Sequence, residues 1–400
     1  MLGRFVSLPL MAMAILATAC AAGTVSVTNS MQDEPSAAGI DGEPAFITPI
    51  DAAVAVNVAA RDGQPPVVAW VTHDDVIVAE LDVETGGLVD EHTVVGDLVP
   101  IAHPIERPAV ALYPDGSVDV AFTSLQTGGA SVYLSRDGAP PQAISGAPQH
   151  ETNLVHMTID SNGSPILTWL EDATLSVARS GDGGLKETES VDDLTCDCCN
   201  PVPALLDESL VIAYRDFDLV DGDVVRNVAA VRSSDGGRTF DPSVQVADDD
   251  WLLAGCPFTG PDIVAVDRVL IIAWMDARQS VYPDQSASSI WVDRSTDGGV
   301  SFGEDLVVAE NGLHRWPAMA VDDSEVIHMF WETQGQDGGL SYAWSDDVGV
   351  SFSEPVLLLD RDMIGGGAPH SPSAVFHDGH LVATWADARE GYVAAWPITR

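Results

Sequence analysis

The sequence predicts an all-β chain folded as a single β-propeller, a ring of four-stranded antiparallel blades closed by an N-terminal strand. The count is seven blades, or six if the first unit is irregular. Three observations predict it. The pattern Ser-x-Asp-x-Gly-x-Ser/Thr-Phe occurs intact at 233–240, 295–302 and 345–352, with eroded copies at 135–138 and 180–184. An aromatic residue ending a β-rich run recurs at Trp70, Phe122, Trp169, Tyr214, Trp274, Trp331 and Trp385. Upstream of most of these a proline opens an apolar strand, as at Pro108 and Pro317. Self-similarity at a fixed period marks propellers, solenoids or arrays. Short β-rich runs bounded by Gly and Asp at even spacing mark an all-β chain.

The N-terminus comes first. Arg4, the apolar stretch Phe5 to Ala19 and the small residues Ala17-Thr18-Ala19 have the layout of a signal peptide over 1–19. Cys20 follows at once, in a segment that resembles a bacterial lipobox and implies lipidation. Ala17 departs from the usual Leu of that pattern. Residues 20–43 are rich in Ala, Gly, Ser, Thr and Asp without hydrophobic period, which reads as a flexible tether. The expectation is an extracytoplasmic protein that meets the membrane only through its lipid anchor, or is secreted.

The propeller is assigned to 44–400. Each unit reads as an inner strand, an aromatic second strand, a third strand, a turn and an outer strand. Seven such units fit between Asp51 and Arg400, and the last stops after its third strand, Tyr392 to Ile398. The segment 45–50 is left to supply the missing outer strand. Ring closure leaves few exposed edges.

The repeated pattern is first a folding device. Its Gly supplies positive φ, and the Asp235, Asp297 and Asp347 carboxylates are placed to accept bonds from the turn's own N–H groups. The closing Phe returns to bury apolar area. This pattern resembles the Asp-box, or bacterial neuraminidase repeat, of the sialidase-like β-propellers. The resemblance covers nearly the whole chain after the N-terminus and implies the fold far more than the activity.

Composition excludes some partners. Acidic residues number 61 against 17 basic ones, for a net charge of −44, and Lys186 is the only lysine. Such a surface repels nucleic acid and anionic membranes. A soluble, monomeric, solvated acidic surface is the simpler reading.

Meander topology places residues before the inner strand and after the aromatic strand at one mouth. The first set includes His103, His150, Cys196, Cys198, Cys199, Cys256, His314, Arg315 and His370. The second includes Arg215, Asp216, Asp276, Arg278, Glu332, Asp387 and Arg389. Convergent loops of this kind are where ring folds bind ligands. His103, Cys196 and Cys256 share one offset from the inner-strand prolines Pro108, Pro201 and Pro261, which predicts that the cysteines of blades 4 and 5 are neighbours.

Three readings stay open for Cys196, Cys198, Cys199 and Cys256. Disulfides fit an oxidising compartment and an even count. A bond between adjacent Cys198 and Cys199 would be strained, so one of them is expected to join Cys256. A thiolate site with His103, His150 or His314 would favour copper or zinc. A redox-active thiol pair is the third. The Cys-x-Cys-Cys and Gly-Cys-Pro segments, with Tyr214-Arg215-Asp216 between them, resemble a subset of secreted bacterial sialidase-like proteins.

The subset carries no settled activity; if the chain is an enzyme, the resemblance of fold implies a glycoside hydrolase of exo-sialidase type. It calls for an arginine triad that clamps a carboxylate, a Tyr nucleophile and an Asp acid/base. Arg215, Arg278, Arg315 and Arg389 are the candidate arginines, Tyr214 and Tyr392 the candidate nucleophiles and Asp216 the candidate acid. Arg315-Trp316-Pro317 is similar to the family's Arg-Ile-Pro segment but lies late in the chain, and Tyr214 lacks a clear Glu partner. The functional expectation is therefore a propeller that binds or processes a carbohydrate or other small anionic ligand at this mouth, with no cofactor required. A Cys/His copper or zinc protein and a protein-interaction scaffold are the alternatives.

Overall fold

The computed structural model describes residues 39–40, 42–94, 96–145, 150–181, 184–187, 190–247, 249–279, 287–387 and 389–398. The expected signal peptide, Cys20 and most of the tether lie outside the described residues, as do Asp182 and Gly183 of one eroded turn. No helix occurs among the described residues, and the strands form seven blades.

Blade 1 is built from Ala55–Arg61, Gln64–Val71, Val76–Asp82 and Gly87–Thr93, each pairing antiparallel with the next. Blades 2 to 6 repeat this order. The inner strands are Ala109–Leu112, Thr152–Ile159, Val202–Leu206, Asp262–Val266 and His314–Val321. Blade 7 has His370–His377, His380–Ala386 and Gly391–Pro397, and its outer strand is Phe46–Ile50 from the N-terminal side. Phe46 pairs with Ala395 and Ile50 with Gly391, so the ring closes by the N-terminal segment expected to supply the missing outer strand. The inner strands of successive blades touch one another around a full circle, blade 7 against blade 1.

The core is divided the same way. Each interface between neighbouring blades holds one buried apolar cluster. The second strand of blade 5 shows why. Leu270, Ile272 and Trp274 face blade 4, while Ile271, Ala273 and Met275 face blade 6. Side chains alternate across a strand. A blade buried on both faces therefore needs a continuous apolar run with no polar alternation. The seven recurrent aromatics all lie on these second strands and are buried.

The three intact patterns connect third strands to outer segments on the side away from the mouth. In the first, the Asp235 carboxylate accepts bonds from the N–H groups of Arg238 and Thr239 and from the hydroxyls of Ser233 and Thr239. Asp297 and Asp347 repeat the arrangement. Gly236 and Gly237 take positive φ of 68° and 81°. Phe240, Phe302 and Phe352 pack, half-buried, on the inter-blade clusters.

Candidate functional site

Three inner strands carry the same irregularity at their mouth end. The register of blades 3, 6 and 7 shifts between Asn153 and His156, Arg315 and Ala318, and His370 and Ser373. Each shift contains a left-handed residue: Leu154 at φ 58°, Trp316 at 51° and Ser371 at 48°. Positive φ at bulky residues costs on the order of 1–3 kcal/mol each and concentrates at working sites. Bulges re-aim side chains, and here they turn residues toward the axis.

The product is an axial cavity of about 100 Å³ with a wall from every blade: Asn57, Arg107, His156, Asn200, Asp262, Trp316 and Ser373. Polar contacts stitch these blades together. Arg107 donates to the Pro372 carbonyl at 2.5 Å, and Ser373 donates to Asn57 Oδ1 at 2.6 Å. The Met319 N–H donates to Asp262 at 2.6 Å, and the Asn200 amide donates to Nε2 of His156 at 3.2 Å.

The electrostatics follow from burial. Burial pushes the Asp262 carboxyl up to about 6, against the Met319 N–H and the Arg107 charge. Burial, then Arg107, pushes His156 down to about 3, so its imidazole is neutral. Glu106, next to Arg107 in the chain but not in the cavity lining, is raised to about 7 by burial and accepts the Leu154 N–H. Near neutral pH the axis therefore presents one guanidinium, one neutral imidazole and one carboxyl that titrates at about 6. Such a set can hold an anion and exchange a proton beside it.

The rim is aromatic. Trp316 Nε1 donates to the Phe258 carbonyl at 2.6 Å, and His370 meets the Trp316 ring edge-on at 4.9 Å. Phe258 is 46% exposed, with His103 6.3 Å away. Buried Glu332 lies 3.5 Å from His370, and its Oε2 has no hydrogen-bond partner among the described residues.

The candidates read from sequence are placed differently. Arg215 is 1% exposed, and its guanidinium is spent on the carbonyls of Thr259, Arg226 and Met275. Arg278 is locked by Asp249, Asp276 and Asp305. Tyr214 is buried and donates to Asp192 at 2.6 Å; burial, then Asp192, raises its phenol far above the usual range. Asp216 is pushed up to about 6 by burial. Arg315 is half-buried and Arg389 exposed. None of these six lines the axial cavity. The histidines also stand apart from the sulfurs. His314 bonds Thr333 and Trp331, His150 pairs with Asp172, and His103 faces Phe258.

The residues that do line the axis carried one overlooked signal. Arg107, Asn200, Gly260, Trp316 and Ser371 each immediately precede an aligned proline. Proline disfavours the right-handed helical region for its predecessor. Trp316 and Ser371 avoid it by taking the left-handed region, while Arg107, Asn200 and Gly260 keep negative φ.

The cysteine loops wall the same cavity. Cys198 and Cys256 form a disulfide, while Cys196 and Cys199 are free and buried. The bond ties the loop ending at Asn200 to the loop carrying Gly260. There a Cβ on Gly260 would come within 2.3 Å of the Asn200 carbonyl. A hydrogen bond from Cys199, then the charges of Arg226 and Arg215, holds the Cys196 thiol low, and burial pushes Cys199 up.

No protein-family model matches the chain, and no curated protein does. Solved structures do. A PL25 ulvan lyase is similar over 89% of this chain and 95% of its own, at 12% identity and a TM-score of 0.57. The polysaccharide lyase Uly1 is similar over 86% of this chain and 90% of its own, at 12% identity and a TM-score of 0.54. A protein of unknown function from Dyadobacter fermentans covers 73% of this chain and 94% of its own, at 11% identity and a TM-score of 0.52. These similarities are of fold.

Proposed function

We propose that the axial mouth binds the acidic end of a carbohydrate. The observation that carries this is Arg107, a cation set on the axis of a chain of net charge −44, in a cavity walled by all seven blades. A guanidinium pairs with a carboxylate or sulfate in a fork geometry that few other groups match. A volume of about 100 Å³ admits the acidic edge of one sugar and not a threaded chain. The rest of the ligand then lies on the rim, where Trp316 and Phe258 offer apolar faces for a sugar ring. Two of the similar folds belong to polysaccharide lyases, which supports a carbohydrate ligand. Exo-sialidase chemistry draws no support from the placement of Arg215, Arg278 or Tyr214.

An extracytoplasmic setting is part of the reading. It is supported by the signal-like start, the lipobox-like Cys20 and the Cys198–Cys256 disulfide.

Calorimetric titration with short oligouronides or sulfated oligosaccharides, beside their neutral counterparts, tests the proposal. Acidic ligands should bind at least tenfold tighter than neutral ones. Equal binding of both, or none, overturns it.

A further inference from the structure

The four cysteines are not absorbed by the axial reading. None lines the cavity, yet two separate loops deliver all four sulfurs to within 4.8 Å of one another. Cys196 Sγ lies 2.8 Å from that of Cys199 and 3.6 Å from that of Cys198. One disulfide needs two cysteines and leaves the presence of the other pair unexplained. A tetrathiolate zinc centre has Zn–S bonds of about 2.3 Å, which sets its sulfurs about 3.8 Å apart. Cys196 and Cys198 already stand close to that spacing, and the Cys196–Cys199 pair and the opened Cys198–Cys256 pair have only to move apart to reach it.

The surroundings suit thiolates. Arg215 and Arg226 are 1% and 6% exposed, and Arg226 leaves Nε and Nη1 without hydrogen-bond partners among the described residues. A divalent ion held by four thiolates carries two negative charges, and two buried guanidinium groups offset them. The Phe258 N–H points at Cys256 Sγ from 3.4 Å, a contact of the kind that orients a metal-bound sulfur. Among the described residues the group contains sulfur donors alone. That choice selects zinc-like soft ions over calcium or magnesium.

We propose that Cys196, Cys198, Cys199 and Cys256 form a tetrathiolate site for one zinc-class ion, filled when the Cys198–Cys256 bond is reduced. A dithiol reductant supplies two electrons and two protons to that bond and leaves as its own disulfide. Four thiols then release four protons as one divalent ion binds. The two loops are joined by sulfur–sulfur in one state and by the ion in the other. Asn200 and Gly260 stay clamped in both, so the mouth keeps its wall whatever the redox condition.

The test uses the full chain, treated with a dithiol without oxygen, desalted and loaded with zinc. Elemental analysis should find one ion per chain, with all four cysteines protected from alkylation until a chelator is added. Cys196→Ser and Cys256→Ser should each weaken binding at least tenfold. Cobalt(II) on the unaltered chain gives a readout that needs no variant: intense thiolate charge-transfer and tetrahedral ligand-field bands. Absence of a stoichiometric ion, a cobalt spectrum without those bands, undiminished binding by folded Cys196→Ser, or a reduced chain that zinc does not hold folded would each overturn the proposal.

Discussion

Asp235 and Asp262 both accept backbone N–H bonds, and the molecule drives them in opposite directions. Asp235 sits in a solvent-facing turn. The Thr239 N–H has the largest influence, and together with the Thr239 and Ser233 hydroxyls and the Arg238 N–H it outweighs the opposing effect of burial and holds the carboxyl well below the usual range. Every one of those partners lies within four residues. Asp262 takes its N–H from Met319 in the next blade and its counter-charge from Arg107 across the ring, and burial still pushes it up to about 6. The turn face is therefore made of local devices that any repeat can carry. The axis is assembled once, from residues no window of sequence contains. The first should govern stability and the second ligand binding.

The largest separation is expected at Arg107. Arg107→Gln should cost about 1.5–3 kcal/mol of affinity for an acidic oligosaccharide, the worth of hydrogen bonds to a charged group. Calorimetry reads that as a loss of roughly ten- to a hundredfold, while neutral sugars are unaffected. Undiminished acidic binding would move the ligand away from the axis.

The pH dependence comes next. The folded Asp262 carboxyl titrates above its unfolded value, so its stabilising share is complete below about pH 4 and is lost as pH rises through about 6. Asp297 is the reverse. Bonds from Ser301, first from its hydroxyl and then its N–H, hold it down to about 2, so its share is constant above pH 4 and lost only as pH falls through about 2. Between pH 4 and 7 the turns are silent. Raised Glu106, Asp216 and Asp249 and the growing repulsion of an acidic chain also lower stability over that range. The measurement is thus a difference in urea midpoints between the native chain and Asp262→Asn. That difference should change by on the order of 2 kcal/mol from pH 4 to 7 in favour of the variant. Asp297→Ala should leave the slope unchanged.

What was legible in the sequence follows the same division. The seven second-strand aromatics, the turns and the closing strand Phe46–Ile50 are local patterns whose physics is complete within a few residues. Blade membership then places whole loops at one mouth, and that count brought the cysteines of blades 4 and 5 together, with the structure choosing Cys198 over Cys199 as the partner of Cys256. Where a side chain points within its loop did not. Arg215 follows an aromatic strand, as a mouth residue should, yet it turns inward between blades 4 and 5 onto three carbonyls. Arg107, His156, Asn200 and Asp262 meet only because seven inner strands converge, and three of those strands are bulged. A bulge shifts register, so strict alternation predicts the wrong face beyond it. Five lining residues stand directly before an inner-strand proline, a local cue that the bulges do not disturb.

On the turn face, Asp297→Ala removes two backbone and two hydroxyl partners at once. By analogy with a capping carboxylate it should cost about 1–2 kcal/mol in urea unfolding, with acidic-ligand affinity unchanged. A fall in affinity would show that the two faces are coupled through the blade.

The smallest effect belongs to the pair that bridges two blades on that same face. Arg268 meets Asp207 at 3.2 Å, and their side chains are 85% and 71% exposed. Water and salt screen such a pair, and ordering two free side chains offsets most of its attraction, so Arg268→Ala should cost no more than about 0.5 kcal/mol. On a chain of net charge −44, removing a cation also adds to general repulsion. Part of the small loss should therefore fade as salt is raised, because the screening length falls to about 10 Å at 0.1 M. Urea midpoints of Arg268→Ala and Asp297→Ala at low and high salt decide the point. If the bridge matched the turn aspartate at high salt, the turn face would rest on contacts between blades, and the division between a local periphery and an assembled axis would fail.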